Sequence, residues 1–542
     1  MDMINHFKKN IFLFLCLLST KDSIAQSNIN PDKLARWQHL DLQADSVYGI
    51  STDRAYRELL TGRKKETVLV AVIDSGIDTL HEDLTAILWR NEKEKGHDED
   101  RNGYVYDKYG WNFLGNAPRK FADESHRFYL FYKAKCSKLE KVASKLPKDS
   151  DPDCVCWQRT KAEFQKDSIE AFKSNFRYWN TAAKEDSVLR KILRRDTYRS
   201  KDIVTLSKEG NTDQQFEFMP RVLSYDTNRT NQILLESFVQ AKVELVDRYS
   251  NPLWRRATKD HYLNFNDKYY GSANVYAGGA HGTHVTGIIA AVRNNSIGVD
   301  GVADAVRVME LRVIPENGDE FDKDVALAIR YAVDNGAKVI NMSFGKYFSP
   351  QQSWVEDAMK YAAKHDVLIV HGAGNDMLNI DSDSVSDYPS HRLRKGNLFP
   401  NIIGVGANGP DRKNLIASFS NYGKETVDVF APGVDIKSTV VTKDDGSIKD
   451  SNYESWSGTS MAAPVVTGLA AILRSYYPKL SAVQVKQIIE SSVTKIVGYV
   501  TRPGSKGVEQ VPLSELCKTG GIVNAYEAIK LADQVTEKKK KR

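Results

Sequence analysis

With 542 residues, 41% of them hydrophobic, the chain exceeds one ordinary domain and can fill a large core. Charged residues make up 27%, yet the formal net charge is only +6. That balance offers no long basic stripe with interleaved aromatics, so a nucleic-acid partner is not expected.

The chain opens as an export signal. Lys8 and Lys9 precede a short apolar run, Ile11 to Leu18, and Ser23-Ile24-Ala25 supplies small residues for cleavage. The run is shorter than the ~20 residues that span a bilayer, which leaves an uncleaved anchor or a buried helix as the alternatives. Residues 1–25 are therefore read as a signal peptide and the mature chain as exported, to the periplasm or beyond, with no transmembrane segment. Cys16 leaves with the signal. Cys136, Cys154, Cys156 and Cys517 remain, and an oxidising compartment permits a bridge from Cys136 to Cys154 or Cys156. No second Cys or His pair stands near Cys154 and Cys156 to complete a metal site.

Residues 68–74, Val-Leu-Val-Ala-Val-Ile-Asp, form a continuous apolar run ending in a carboxylate, the pattern of a buried parallel strand. Asp74 would then stand beyond a strand's carboxyl end, where open α/β sheets place their sites; a turn or N-cap aspartate is the plainer alternative. Next comes Asp98-Glu99-Asp100-Arg101-Asn102-Gly103-Tyr104, with Asp107 beyond. Oxygen side chains at alternate positions and a turn glycine suit a calcium loop with Asp98, Asp100, Asn102 and Asp107 as ligands, though the bidentate glutamate of an EF-hand is missing. A solvated acidic turn fits equally.

Between residues 116 and 270 the pattern becomes polar and helix-like, with 30 Lys and Arg against 22 Asp and Glu. This segment carries +8 and the remainder −2, so the basicity is local. It reads as a solvated, mainly helical insertion.

His281 starts His-Gly-Thr-His-Val-Thr-Gly before the apolar run Ile288 to Val292, at the head of a buried helix. His284 suits the core better than His281. Strand-like runs at 306–314, 338–344, 366–371 and 402–406 alternate with helical patterns at 323–334 and 353–364. Strands alternating with helices of this length predict a parallel sheet with helices on both faces. Asn375, in Gly372-Ala373-Gly374-Asn375, follows one of these strands and has an amide suited to donating to an oxyanion; a turn asparagine is the alternative. Ser460 lies in Gly458-Thr459-Ser460-Met461-Ala462-Ala463-Pro464 at the head of an apolar helix over 461–475. There free N–H groups favour developing negative charge, although a lone serine at that position is more often a cap. Residues 536–542 are a basic tail.

Each plain reading is weaker in combination. Val70 to Asp78, His281 to Gly287, Ile340 to Gly345, Gly372 to Asn375 and Gly458 to Pro464 resemble the signature blocks of subtilisin-like serine peptidases, in that family's Asp, His, Ser order. Ala417 to Gly423 and Ala431-Pro432-Gly433 support the resemblance. It implies a three-layer α/β fold with a mostly parallel sheet, and an endopeptidase with Asp74, His281 and Ser460 as its triad. Asn375 and the Ser460 N–H would bind the oxyanion. Protein or peptide substrates would lie as an extended strand along the Ser343-Phe344-Gly345 edge, and these residues with Gly374 would border the pocket for the side chain before the cut. No cofactor is required for the chemistry, and calcium would be structural. Residues 26–115 and 271–535 would form the peptidase domain, interrupted by the insertion at 116–270. The triad Asp and His are 207 residues apart, more than compact members need. Only roughly 40 residues lie between Gln26 and the first strand, short for an inhibitory propeptide, so the insertion is expected to govern access to the site.

Overall fold

The computed structural model describes residues 31–93, 98–115, 184–199, 202–203, 230–232, 258, 260–276, 279–315, 319–346, 349–382, 385, 387–393, 396–441, 452–505 and 507–540. The expected signal peptide and the Cys136, Cys154 and Cys156 pairing lie outside the described residues; Cys517 is buried and has no disulfide partner among the described residues.

The apolar runs become the central strands. These are β1 (Val68–Asp74), β2 (Gly110–Asn112), β3 (Val306–Arg312), β4 (Val339–Met342), β5 (Leu368–Gly372), β6 (Ile402–Asn408) and β7 (Val429–Pro432). A hairpin of β8 (Ile436–Thr439) and β9 (Tyr453–Trp456) follows. Then come β10 (Thr494–Lys495), β11 (Tyr499–Thr501), β12 (Gln510–Pro512) and β13 (Gly521–Ile522). Among the described residues one nine-stranded sheet runs in the order β10-β13-β7-β6-β5-β4-β1-β3-β2. Its pairings are parallel apart from β10 with β13.

Side chains alternate across a strand, and that alternation divides the core. Val70 and Val72 of β1, with Val308, Val339 and Val370, pack against α1 (Ala280–Ala290) and α4 (Thr459–Tyr476). α4 is flanked there by α5 (Ala482–Ser491) and α6 (Ala525–Lys540). Ala71 and Ile73 face the other way, with Met309, Ile340 and Ile369, toward α2 (Asp322–Asp334) and α3 (Gln352–Lys364). The result is the three-layer α/β arrangement that the sequence predicts. Each fully buried aliphatic side chain contributes about 1.5–3 kcal/mol, and both faces of the sheet are lined with them.

The chain before β1 belongs to this core. Trp37 is buried and its Nε1–H donates to Val434 O at 3.0 Å, while Ile50 O accepts from Ala525 N at the head of α6. The chain returning from the insertion is equally attached. Asn112 and Ser272 exchange two backbone hydrogen bonds of 2.9 Å, and Ile77 N–H donates to Val275 O. Asp260 forms a fully buried ion pair with Lys323 of α2 at 2.7 Å.

Candidate active site

The carboxyl ends of β1, β4 and β5 point the same way because these strands are parallel neighbours. They deliver Asp74, Ser343 and the 373–376 loop to one edge of the sheet. The N-terminal turns of α1 and α4 bring His281 and Ser460.

Asp74 is fully buried. Its Oδ1 accepts from His281 Nδ1 at 2.8 Å and from the Ser75 N–H at 2.7 Å. A carboxylate facing Nδ1 places the proton there, which leaves Nε2 as the basic nitrogen. Burial by itself lowers the His281 pKa, but the charge and hydrogen bond of Asp74 outweigh it and hold the ring above 6.5. His284, one turn on, has no such partner. It is buried, pushed down to about 3 by desolvation, and stacked on Trp456 with ring centroids 4.5 Å apart. It is the core histidine that the sequence suggested.

Ser460 is the second residue of α4. Its Oγ–H donates to Ser343 O at 3.0 Å, and no hydrogen bond joins it to His281 among the described residues. The same two residues meet a second time, with Ser343 Oγ–H donating to Ser460 O at 2.9 Å. That carbonyl is available because of Pro464. Four residues into the helix, proline lacks the N–H that would close the i→i+4 bond. Pro464 thus sits in the second turn of α4, and the carbonyl it frees is satisfied by Ser343 just beyond β4. Asn341 Nδ2 donates to Ser343 Oγ and Asn341 Oδ1 accepts from Thr467, so one buried chain of bonds links β4 to α4.

Asn375 is oriented by a residue that the sequence did not single out. Its Oδ1 accepts from Thr459 N at 2.9 Å and from Thr459 Oγ at 3.1 Å, which commits its Nδ2 to face elsewhere. A Cβ built on Gly458 would stand 3.7 Å from that Nδ2 and 3.6 Å from Ser460 N. Both donors therefore border one small space that glycine leaves open. The Thr459 hydroxyl also accepts from Gly374 N at 3.1 Å. Asn421, in one of the supporting blocks, holds the loop further on by accepting from Asp376 N and Leu378 N.

Ser343 is buried, Phe344 half-buried and Gly345 exposed. Beyond Gly345 the edge pairs with Tyr388 through Lys346, and Phe344 O is held by His371 Nε2 at 2.6 Å. In the acidic loop, Asn102 Nδ2 donates to Asp100 Oδ2 and Asp107 Oδ2, and Asn91 Nδ2 bridges the same two carboxylates. Asp98 Oδ2 accepts from Gly103 N, while its Oδ1 is buried without a partner among the described residues. Of the four expected ligands Asp100, Asn102 and Asp107 are brought together, while Asp98 is tied to the Gly103 N–H, and no group of three acidic, His or Cys side chains is poised as a metal site among the described residues.

Residues 65–510 match the model of the subtilase family, described as peptidase S8. A thermophilic serine proteinase of Bacillus sp. (strain AK1) is 40% identical over 221 residues, which is 41% of this chain and 48% of that protein. Subtilisin Savinase of Lederbergia lenta is 36% identical over 227 residues, 42% of this chain and 74% of that one. Thermitase of Thermoactinomyces vulgaris is 36% identical over 252 residues, 46% and 75%. The match thus spans about half of the first of these relatives and three quarters of the other two. No helix among the described residues is long and apolar enough to cross a membrane.

Proposed function

The chain belongs to the subtilase family, and from that premise we propose that it is an exported serine endopeptidase working through an acyl-enzyme intermediate. The observation that carries this reading is the 2.8 Å bond from His281 Nδ1 to the buried Asp74. It fixes the tautomer that leaves Nε2 free to take a proton. Ser460 Oγ turns from Ser343 O toward that nitrogen, loses its proton to it and attacks the substrate carbonyl. The tetrahedral oxyanion is met by Asn375 Nδ2 and by the Ser460 N–H, which lies in the first turn of α4 and has no intrahelical acceptor. His281 then passes its proton to the leaving amine, and water repeats the sequence on the acyl-enzyme. The substrate lies extended along Ser343, Phe344 and Gly345, bordered by Gly374, as an added strand.

Calcium is structural in this reading, held at Asp98, Asp100, Asn102 and Asp107. Asp98 Oδ1, without a partner among the described residues, and the amide bridges between Asp100 and Asp107 support it. The insertion at 116–270 restrains access to the site.

A fluorophosphonate should label the wild type once, at Ser460, and casein hydrolysis should vanish in Ser460→Ala. Labelling at another serine, with hydrolysis surviving the substitution, would sink the assignment.

A further inference from the structure

One carboxyl beside the substrate edge has no role in the reaction just described. Tyr388 and Lys346 exchange backbone hydrogen bonds of 2.9 and 3.0 Å, and this pairing sets Asp387 next to Gly345. A Cβ built on Gly345 would lie 3.9 Å from Asp387 Oδ1, with Tyr388 O at 3.2 Å and His371 Nε2 at 3.7 Å. A substrate side chain crossing this exposed glycine therefore meets a carboxylate.

Among the described residues nothing compensates that carboxylate. Asp387 is half-buried and has no hydrogen-bond or ion-pair partner among the described residues. It also lines a cavity of about 270 Å³ with Lys346, His391 and Arg392. Both of these cations are already engaged: Lys346 with Asp322 at 2.9 Å, and Arg392 with Glu425 and Asp381. His371 and His391 contribute no charge, since burial holds them down at about 3 and about 4. Glu320, Asp322, Glu356 and Asp381 line the same cavity, and the charge that acts on Asp387 is that of Asp376, a second carboxylate, in the loop after Asn375. Burial first, and Asp376 second, push Asp387 up to about 7. A half-buried carboxylate beside another carboxylate is stabilised by an incoming cation.

We propose that Asp387 determines specificity, selecting substrates with an arginine or lysine side chain immediately before the scissile bond. This rests on the peptidase reading above. The guanidinium or ammonium would reach past Gly345, pair with Asp387 and sit within the field of Asp376. A neutral or acidic side chain would leave Asp387 desolvated and unpaired, which disfavours it.

The experiment compares peptides identical except for Arg, Lys, Leu or Glu before a fluorogenic leaving group, using the full chain and Asp387→Asn. The wild type should favour Arg and Lys over Leu in kcat/KM by on the order of 10- to 100-fold. Asp387→Asn should erase most of that preference while changing the Leu peptide by no more than about threefold. The Arg-to-Leu ratio of the wild type should also rise as pH climbs through about 7, where Asp387 ionises, and should be flat in the variant. Titration of His281 affects both peptides alike and cancels from the ratio. An enzyme indifferent to charge, or a variant that loses both peptides equally, overturns the inference while leaving the peptidase reading intact. If no peptide is cut and no fluorophosphonate binds, the peptidase reading is what fails. Binding of the Arg and Leu peptides to folded Ser460→Ala then still tests Asp387, and equal affinities would refute its role.

Discussion

Thr459 shows how one hydroxyl outside the proposed triad can hold the geometry for it. It donates to Asn375 Oδ1 and accepts from Gly374 N, so the donor amide and its loop are tied to the helix that carries Ser460. Asn375→Ala should lower kcat by about 10²–10³-fold with little change in KM, the size seen when this donor is removed from subtilisin. Thr459→Val should cost less, about tenfold, because Asn375 keeps the backbone bond from Thr459 N. The double variant should be no slower than Asn375→Ala, since both changes act on one donor. Additive losses would mean that Thr459 acts elsewhere. Glu310 makes a separate case. It lies inside β3, fully buried, with one oxygen accepting from Gly76 N and the other without a partner among the described residues. Burial, and then the charge of Asp74, raise its pKa well above 4.5. A carboxyl raised on folding stabilises fully below its unfolded value and loses that contribution as pH rises through its folded value. Glu310→Gln stays neutral, so its melting temperature relative to the wild type should climb from pH 5 to pH 9. A constant gap would show that Glu310 does not titrate in the fold. Asp74, His281 and Ser460, the triad proposed above, stood out in the sequence because each lies in its own short block. Thr459 lay inside such a block without a visible task, and Glu310 looked like an ordinary polar position, because burial in a sheet is decided by strands far away in sequence.

At the scale of elements, the strands read as apolar runs are those of the sheet, with ends shifted by one or two residues. The run at 366–371 is β5 at 368–372, and that at 338–344 is β4 at 339–342. Residues 323–334 and 353–364 appear as α2 and α3, each one residue longer at its start. These elements carry their own signal: a continuous apolar run, or an apolar stripe of helical period. The β8–β9 hairpin and the edge pair β10–β13 have none. They are two to four residues long, and their pairing depends on partners that local sequence does not reveal. The loop at 98–107 is an element whose ligand can be tested directly. Asp100 and Asp107 converge on Asn102 and Asn91, and burial raises the pKa of Asp107 against the hydrogen bonds from Tyr331, Asn102 and Asn91. A cation replacing those amides would bind only the folded loop, adding about 2.7 kcal/mol at a hundred times its Kd. Chelation should therefore lower the melting temperature by a few degrees, and Asp100→Ala should abolish that sensitivity. Superimposable melting curves with and without chelator would leave the loop as a hydrogen-bonded acidic turn.

For the whole molecule the question is what the insertion does to the site it interrupts. Its two ends are joined at the catalytic edge: Asn112 pairs with Ser272, and Val275 accepts from Ile77, three residues after Asp74. Within it, residues 184–193 are helical, and Asp186 is buried against Tyr198, Asn231 and Arg190. The helix ends at Arg194 and Arg195, both exposed, with Arg194 at φ 52°. Arg195 meets Asp202 at 3.4 Å, an exposed pair worth little. An exposed turn with two basic residues is where a protease cuts first, and it is the kind of segment that a cleft selected by Asp387 would accept. The wild type should therefore nick itself after Arg194 or Arg195, and Ser460→Ala should remain whole until active enzyme is added. If the insertion restrains access, the nicked enzyme should gain activity on a folded protein by more than on a short peptide, because only the larger substrate needs the approach cleared. Equal rates before and after nicking would make the segment a bystander to catalysis. Loss of the thermal transition on nicking would instead make it part of the folding core, a role that the buried Asp260–Lys323 pair already gives to its returning end.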